Sequence, residues 1–140
     1  MSNQEIARRI PEEGFGGGNF DLFDEHVAED YVGHDPVDEE DSRGVEALKE
    51  RASGYRTAFS DLNVAVEECF GEGDLVCTRW TASGTHDGEL FGMPPTGKSM
   101  RIEGLSIDRF ENGKVVETWD NWDALGMMQQ LGAIPEQQPA

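Results

Sequence analysis

Basic residues are scarce. The chain of 140 residues has 11 lysines and arginines against 29 aspartates and glutamates, a formal net charge of −18. Only Lys49, Lys98 and Lys114 are lysines. Phosphates are repelled by such a surface, which excludes nucleic acid as a partner. The acidic residues are spread along the chain rather than gathered in a tail, and the aromatic content of 9% is that of a folded domain, so an acidic disordered segment is excluded too. Scattered acid with little lysine is the composition of proteins from salt-loving microbes, where salt screens self-repulsion. Long apolar runs are also missing. None is long enough to cross a membrane and the N-terminus shows no signal-peptide pattern, so a cytoplasmic protein without a membrane partner is expected. The cysteines are limited to Cys69 and Cys77. They lack the four-ligand spacing of a zinc site and are expected as free thiols, with no metal.

What is present reads as one domain over residues 1–140. Ser2 with Glu5 is a capping-box pattern that opens a first helix, which Pro11 is expected to kink or end. Residues 14–18 form a glycine-rich stretch without the lysine or preceding strand of a phosphate loop, and read as a turn. A short helix is expected over 21–28 and an extended or turn segment over 31–36, where His34 and Asp35 precede Pro36. Residues 44–59 carry the clearest helical period, with Val45, Leu48, Ala52, Tyr55 and Phe59 on one face. The period then switches to two. Strands are expected over 62–70, 75–84, 98–110 and 114–122, the last two joined by the hairpin dipeptide Asn112-Gly113. A final helix places Leu125, Met128 and Leu131 on one face, with Asp123 as its N-cap, Gly132 as its stop and Pro135 just beyond. Helices followed by consecutive antiparallel strands give an α+β layout: helices packed on a curved antiparallel sheet, around a conical cavity of the kind that binds ligands.

Asp120 is the carboxylate with no local structural duty. Strand alternation puts it on one face with Val116, Thr118 and Trp122, and Trp119 and Trp122 flank it. If that face is covered, burial disfavours the charged form and raises the pKa toward the range useful for proton transfer. Arg79, in mid-strand beside Trp80, reads equally as a partner for a buried carboxylate, a holder of an anionic group or an outer-face residue. The loop 91–98, with Leu90 just before it, offers Leu90, Phe91 and Met93 as cover for a cavity; His86 ends the strand before that loop, and His34 sits on a separate irregular segment, either lining a pocket or exposed to solvent.

Gly84-Thr85-His86, Gly88, Phe91-Gly92-Met93-Pro94-Pro95-Thr96-Gly97, Gly113-Lys114-Val115-Val116-Glu117, Asp123-Ala124-Leu125-Gly126 and Gln130-Leu131-Gly132 resemble the SnoaL-like polyketide cyclases over nearly the whole chain. The resemblance implies the cone-shaped α+β barrel shared with nuclear transport factor two and ketosteroid isomerase. It also implies ring closure by intramolecular aldol condensation without metal or cofactor, with Asp120 as general acid/base. The family pairs that aspartate with a histidine on the preceding strand. Here the position is Ser106; His86, beside the proline loop, or His34 could serve in its place, with His86 taken as the catalytic one. His34, Arg79, Trp80, Met93, Ser106, Trp119 and Trp122 are expected around a small, mostly apolar carbonyl or ester substrate. A hydrolase or isomerase on the same scaffold, and a ligand-binding or dimerising module without chemistry, are the competing readings. A raised Asp120 pKa favours the enzymes and a depressed one the module. The open sheet face is expected to pair two copies into a homodimer.

Overall fold

The computed structural model describes residues 1–134, so Pro135 lies outside the described residues. Helix α1 (Asn3–Arg9) is capped as its sequence implies, the Ser2 hydroxyl accepting the Glu5 N–H at 3.1 Å. Pro11 does not end the helical path. The helix widens into a π-helical stretch, Ile10–Gly16, with Pro11 in its first turn, where its missing N–H is tolerated. Gly14 and Gly16, expected in a loop, belong to this stretch. Helix α2 (Asp21–His26) stops before residue 28 because Val27 opens an unexpected strand, β1 (Val27–His34). A short strand β2 (Ser42–Arg43) precedes helix α3 (Val45–Ala58). Strands β3 (Asn63–Glu72), β4 (Leu75–Thr85), β5 (Ser99–Glu111) and β6 (Lys114–Trp122) then follow close to their expected limits.

The strands form one sheet in the order β2-β1-β6-β5-β4-β3. It is curved but unclosed, with β2 and β3 as free edges, so it is an open cone rather than a shut barrel. It is also mixed. Three hairpin-linked pairs from β3 to β6 are antiparallel, whereas β1 lies parallel to β6. A parallel neighbour needs a long crossover, and everything from β2 to β5 supplies it. The β5–β6 turn is built as its dipeptide demands, with φ +51° at Asn112 and +76° at Gly113. A bulge follows it: Arg109 pairs with Glu117 and Phe110 with Val115, which skips Val116. The fully buried residue is therefore Val115 rather than the expected Val116. Beyond the bulge, Thr118, Asp120 and Trp122 all face inward, as alternation requires.

Helix α4 (Ala124–Gln130) packs against β5, and Asp123 caps it by accepting the Gly126 N–H. Its buried residues are Met127 and Leu131, while Leu125, expected inside, is 57% exposed. The core divides into two clusters. One gathers α1, α2 and the start of α3 around Phe23, Val76, Phe110 and Val115. The other gathers the end of α3 and α4 around Phe59, Met100, Ile102 and Met127. Strand β5 spans both, and its inner face reads Met100, Ile102, Gly104, Ser106, Asp108, Phe110. Hydrocarbon fills the two ends; glycine, hydroxyl and carboxylate occupy the middle. On the outer face Leu105 and Ile107 are 51% and 41% exposed. The usual arrangement of a half-buried strand is inverted at its centre.

Candidate active site

That inverted centre opens onto a cavity of about 130 Å³ between the two core clusters. An apolar protein cavity of ~150 Å³ admits one benzene ring, so this space is close to the size of a single ring. Its wall is mostly hydrocarbon from the helices and the sheet. Its polar groups include Ser106 and Asp108 of β5, Asp120 of β6, Tyr31 of β1, Arg51 of α3 and Asp35 just after β1.

Sheet register sets the first pair. Ser106 faces Asp120 across β5 and β6, and the Ser106 hydroxyl donates to Asp120 Oδ1 at 2.5 Å. Trp80 Nε1–H donates to Ser106 Oγ at 2.9 Å, which leaves the serine proton to point at the carboxylate. The indole reaches Ser106 because Gly104 lies beneath it: a Cβ there would come within 2.3 Å of the ring. Gly104→Ala should therefore push Trp80 off Ser106 and cost about 1–3 kcal/mol as overpacking, read as a lowered Tm.

The next rung is Asp108 opposite Thr118, whose hydroxyl donates to Asp108 Oδ1 at 2.7 Å. Arg51 Nη1 lies 3.3 Å from Asp35 Oδ2 and 3.7 Å from Asp120 Oδ2. Arg51 Nη2 is held by Asp38 and by Ser42 Oγ. Trp122 Nε1–H donates to Asp35 at 3.1 Å. Electrostatics follow from this geometry. Burial raises Asp120 to about 6, opposed by the Ser106 hydrogen bond, raised further by Asp35 and eased by Arg51. Burial raises Asp108 to about 7, with the Thr118 hydrogen bond opposing and the Asp120 charge adding. Tyr31 and Tyr55 are pushed well above the ordinary phenol value by burial and stay neutral. Among the described residues, no cluster of histidine, cysteine and carboxylate side chains has the makings of a metal site.

The profile of the SnoaL-like polyketide cyclases matches residues 5–131. This chain belongs to that family. It is 29% identical over 136 residues to aklanonic acid methyl ester cyclase AcmA of Streptomyces galilaeus, a match covering 94% of this chain and 92% of the relative. Among solved structures, the SnoaL-like protein of Jannaschia sp. CCS1 matches with a TM-score of 0.86 at 26% identity, over 95% of this chain and 93% of that one. IdmH of Streptomyces antibioticus matches with a TM-score of 0.80 at 31% identity, over 94% of this chain and 99% of that one.

Four of the site residues expected in this SnoaL-like chain meet at the cavity: Trp80, Ser106, Asp120 and Trp122. Five do not. Arg79 faces outward, pairing with Glu68 at 2.7 Å and Glu103 at 3.6 Å, because its register partner is the outward Leu105. Trp119, one residue from Asp120, takes the opposite face by the same alternation. There it stacks on His34, with ring centroids 5.6 Å apart. His34 is fixed by Glu117 at 2.6 Å and Asp41 at 2.9 Å, and these bonds, Glu117 first, raise its pKa. His86 is fully buried outside the cavity. Its Nδ1 accepts the Thr96 N–H at 3.3 Å and its ring packs on Phe59, so it anchors the proline loop. Met93 pairs with Leu90 and packs on the second core cluster. Of that loop, Phe91 reaches toward the site, meeting Tyr55 edge-on at 6.0 Å.

Arg51, Asp108 and Tyr31 went unrecognised as site residues. Arg51 lies three residues after Leu48 and four before Tyr55, on the stripe α3 turns inward. Asp108 lies two after Ser106 on one strand face. Both offsets could have found them. Tyr31 belongs to β1, whose bulge between Val27 and Val32 breaks the alternation that would have marked it.

Proposed function

We propose that this chain catalyses ring closure of a polyketide-type substrate carrying carbonyl and ester groups, by general acid/base catalysis at Asp120. The observation that carries the reading is a buried carboxylate in a hydrocarbon-walled cavity, with the Ser106 hydroxyl on Oδ1 and Arg51 3.7 Å from Oδ2; burial outweighs both and raises its pKa to about 6. A carboxylate tied down as a surface ion pair would have been depressed instead. With Oδ1 occupied by Ser106, Oδ2 is the basic atom. It takes a proton from a carbon flanked by carbonyls, leaving an enolate. The enolate carbon attacks a second carbonyl of the same molecule. A C–C bond forms, the C=O π pair moves to oxygen, and the alkoxide takes the proton back from Asp120. One proton has moved and no atom is gained or lost, so the product is an isomer. Ser106, in place of the family histidine, orients the base and does not itself take up the proton.

The AcmA relative names the substrate to try. Incubation with aklanonic acid methyl ester should give a product of unchanged mass and shifted retention, formed by the wild type and not by Asp120→Asn. An intact substrate with the wild type at substrate-level enzyme concentration would contradict the reading.

The working form is a homodimer on this reading. The outer face of β5 and β6 exposes Leu105, Ile107 and Trp119 at 51%, 41% and 36%, an apolar patch that pairing would cover. Sedimentation at micromolar concentration should give the mass of two chains, and a Leu105→Lys/Ile107→Lys variant the mass of one. A wild type that sediments as one chain removes this part of the proposal.

A further inference from the structure

Asp108 is the buried carboxyl that the ring-closure chemistry at Asp120 leaves unused. It is 7% exposed, lines the same cavity, and sits one rung further along the same two strands. Diagonal neighbours of this kind lie about 7–8 Å apart. Among the described residues it has no ion-pair partner, and its one hydrogen bond satisfies Oδ1. Among the described residues Oδ2 has no partner, and it is not sealed off in the core. The titratable groups coupled to Asp108 are Tyr31 on β1, Cys69 on β3, Cys77 on β4 and Asp120 on β6, and the cation that shares its cavity, Arg51 on α3, is paired with Asp35, Asp38 and Asp120. A carboxylic acid kept neutral by its surroundings is a hydrogen-bond donor.

Resting on the ring-closure reading, we propose that Asp108 holds its proton and donates it in a hydrogen bond to the enolate oxygen that forms when Asp120 takes the substrate's carbon-bound proton. The separation suits the task. Both side chains line one cavity from adjacent rungs, so the acidic carbon and the carbonyl oxygen of one ketone can lie between them. No proton leaves Asp108 in the cycle: it stabilises the developing charge while Asp120 carries the proton from carbon to alkoxide. Burial raises both carboxyls, Asp108 to about 7 and Asp120 to about 6, so one pair would supply an ionised base and a neutral acid between those values, titrating with apparent constants that belong to both.

The test uses 4-nitrophenol, whose phenolate mimics an enolate, fits a one-ring cavity and absorbs in the visible. Asp120→Asn stands in for the protonated base that faces the enolate. At pH 6 this variant should bind the phenolate at least ten-fold more tightly than Asp120→Asn/Asp108→Leu, with Asp120→Asn/Asp108→Asn, which keeps an N–H donor, in between. Equal binding with and without Asp108, or no phenolate binding by Asp120→Asn, overturns the proposal. In turnover, Asp108→Asn should keep the acid limb of the kcat/KM profile and lose the alkaline limb. An alkaline limb that persists overturns it too. Thermal melts of each variant keep a folding defect separate. Failure here leaves Asp120 as the base, whereas a wild type that closes no ring removes the reading on which this one rests.

Discussion

Asp120→Asn is expected to lower kcat by about 10²–10⁴-fold, the range for loss of a positioned general base, with little change in Tm. The substitution is close to isosteric. Its amide oxygen still accepts the Ser106 hydroxyl, now at 2.5 Å from Oδ1, so the Trp80–Ser106 arrangement survives. Arg51 loses a partner at 3.7 Å and keeps Asp35, Asp38 and Ser42. What disappears is the atom that accepts a proton. KM should move little, because the hydrocarbon wall is untouched and Arg51 keeps its other partners. Purified variant and wild type, compared by initial rate and by thermal melt, check both halves. A variant that unfolds would make Asp120 a structural residue.

Asp108→Asn should stabilise the protein at pH 8 and leave it unchanged at pH 4. The folded protein holds Asp108 at about 7 and Asp120 at about 6 against an ordinary 3.8. Both values are raised, so between them and 3.8 the folded chain binds more protons than the unfolded one. Stability is therefore greatest below the ordinary value and declines as pH rises through 6 and 7. At 1.36 kcal/mol per pH unit, ionised Asp108 costs at most roughly 4 kcal/mol. An amide also resists burial, so about 2 kcal/mol should be recovered at pH 8. Chemical denaturation at the two pH values checks the sign. A variant that is less stable at pH 8 would mean that the Asp108 carboxylate is favourably held in the fold. A residue that weakens the fold at working pH is the common cost of a functional site.

The fold was legible where periodicity was strong and local. Helix α3, the strands β3 to β6 and the Asn112-Gly113 turn each announce themselves within their own residues. Strand β1 did not, because a bulge interrupts it and its partner, β6, comes more than eighty positions later. The same long-range pairing is what makes the sheet mixed. At the site, Asp120, Ser106, Trp80 and Trp122 were legible from strand alternation and family resemblance. Arg79 and Trp119 were placed by neighbourhood in sequence, and on a strand adjacent residues take opposite faces; Met93 was named as loop cover for the cavity and packs instead on the second core cluster. His86 was named for its chemistry, and it spends that chemistry holding a loop. The clearest signal lay unread in β5: Leu105 and Ile107 outside with Ser106 and Asp108 inside is a pattern that ordinary burial does not produce.

The most direct measurement is a carboxyl carbon NMR titration of the wild type beside Asp120→Asn. A resonance with a midpoint near 6, absent from the variant, is the result expected of a base held dry in the cavity. A midpoint for Asp120 at or below the ordinary 3.8 would show a carboxylate stabilised by Arg51 or by solvent, and would contradict general base catalysis at this position.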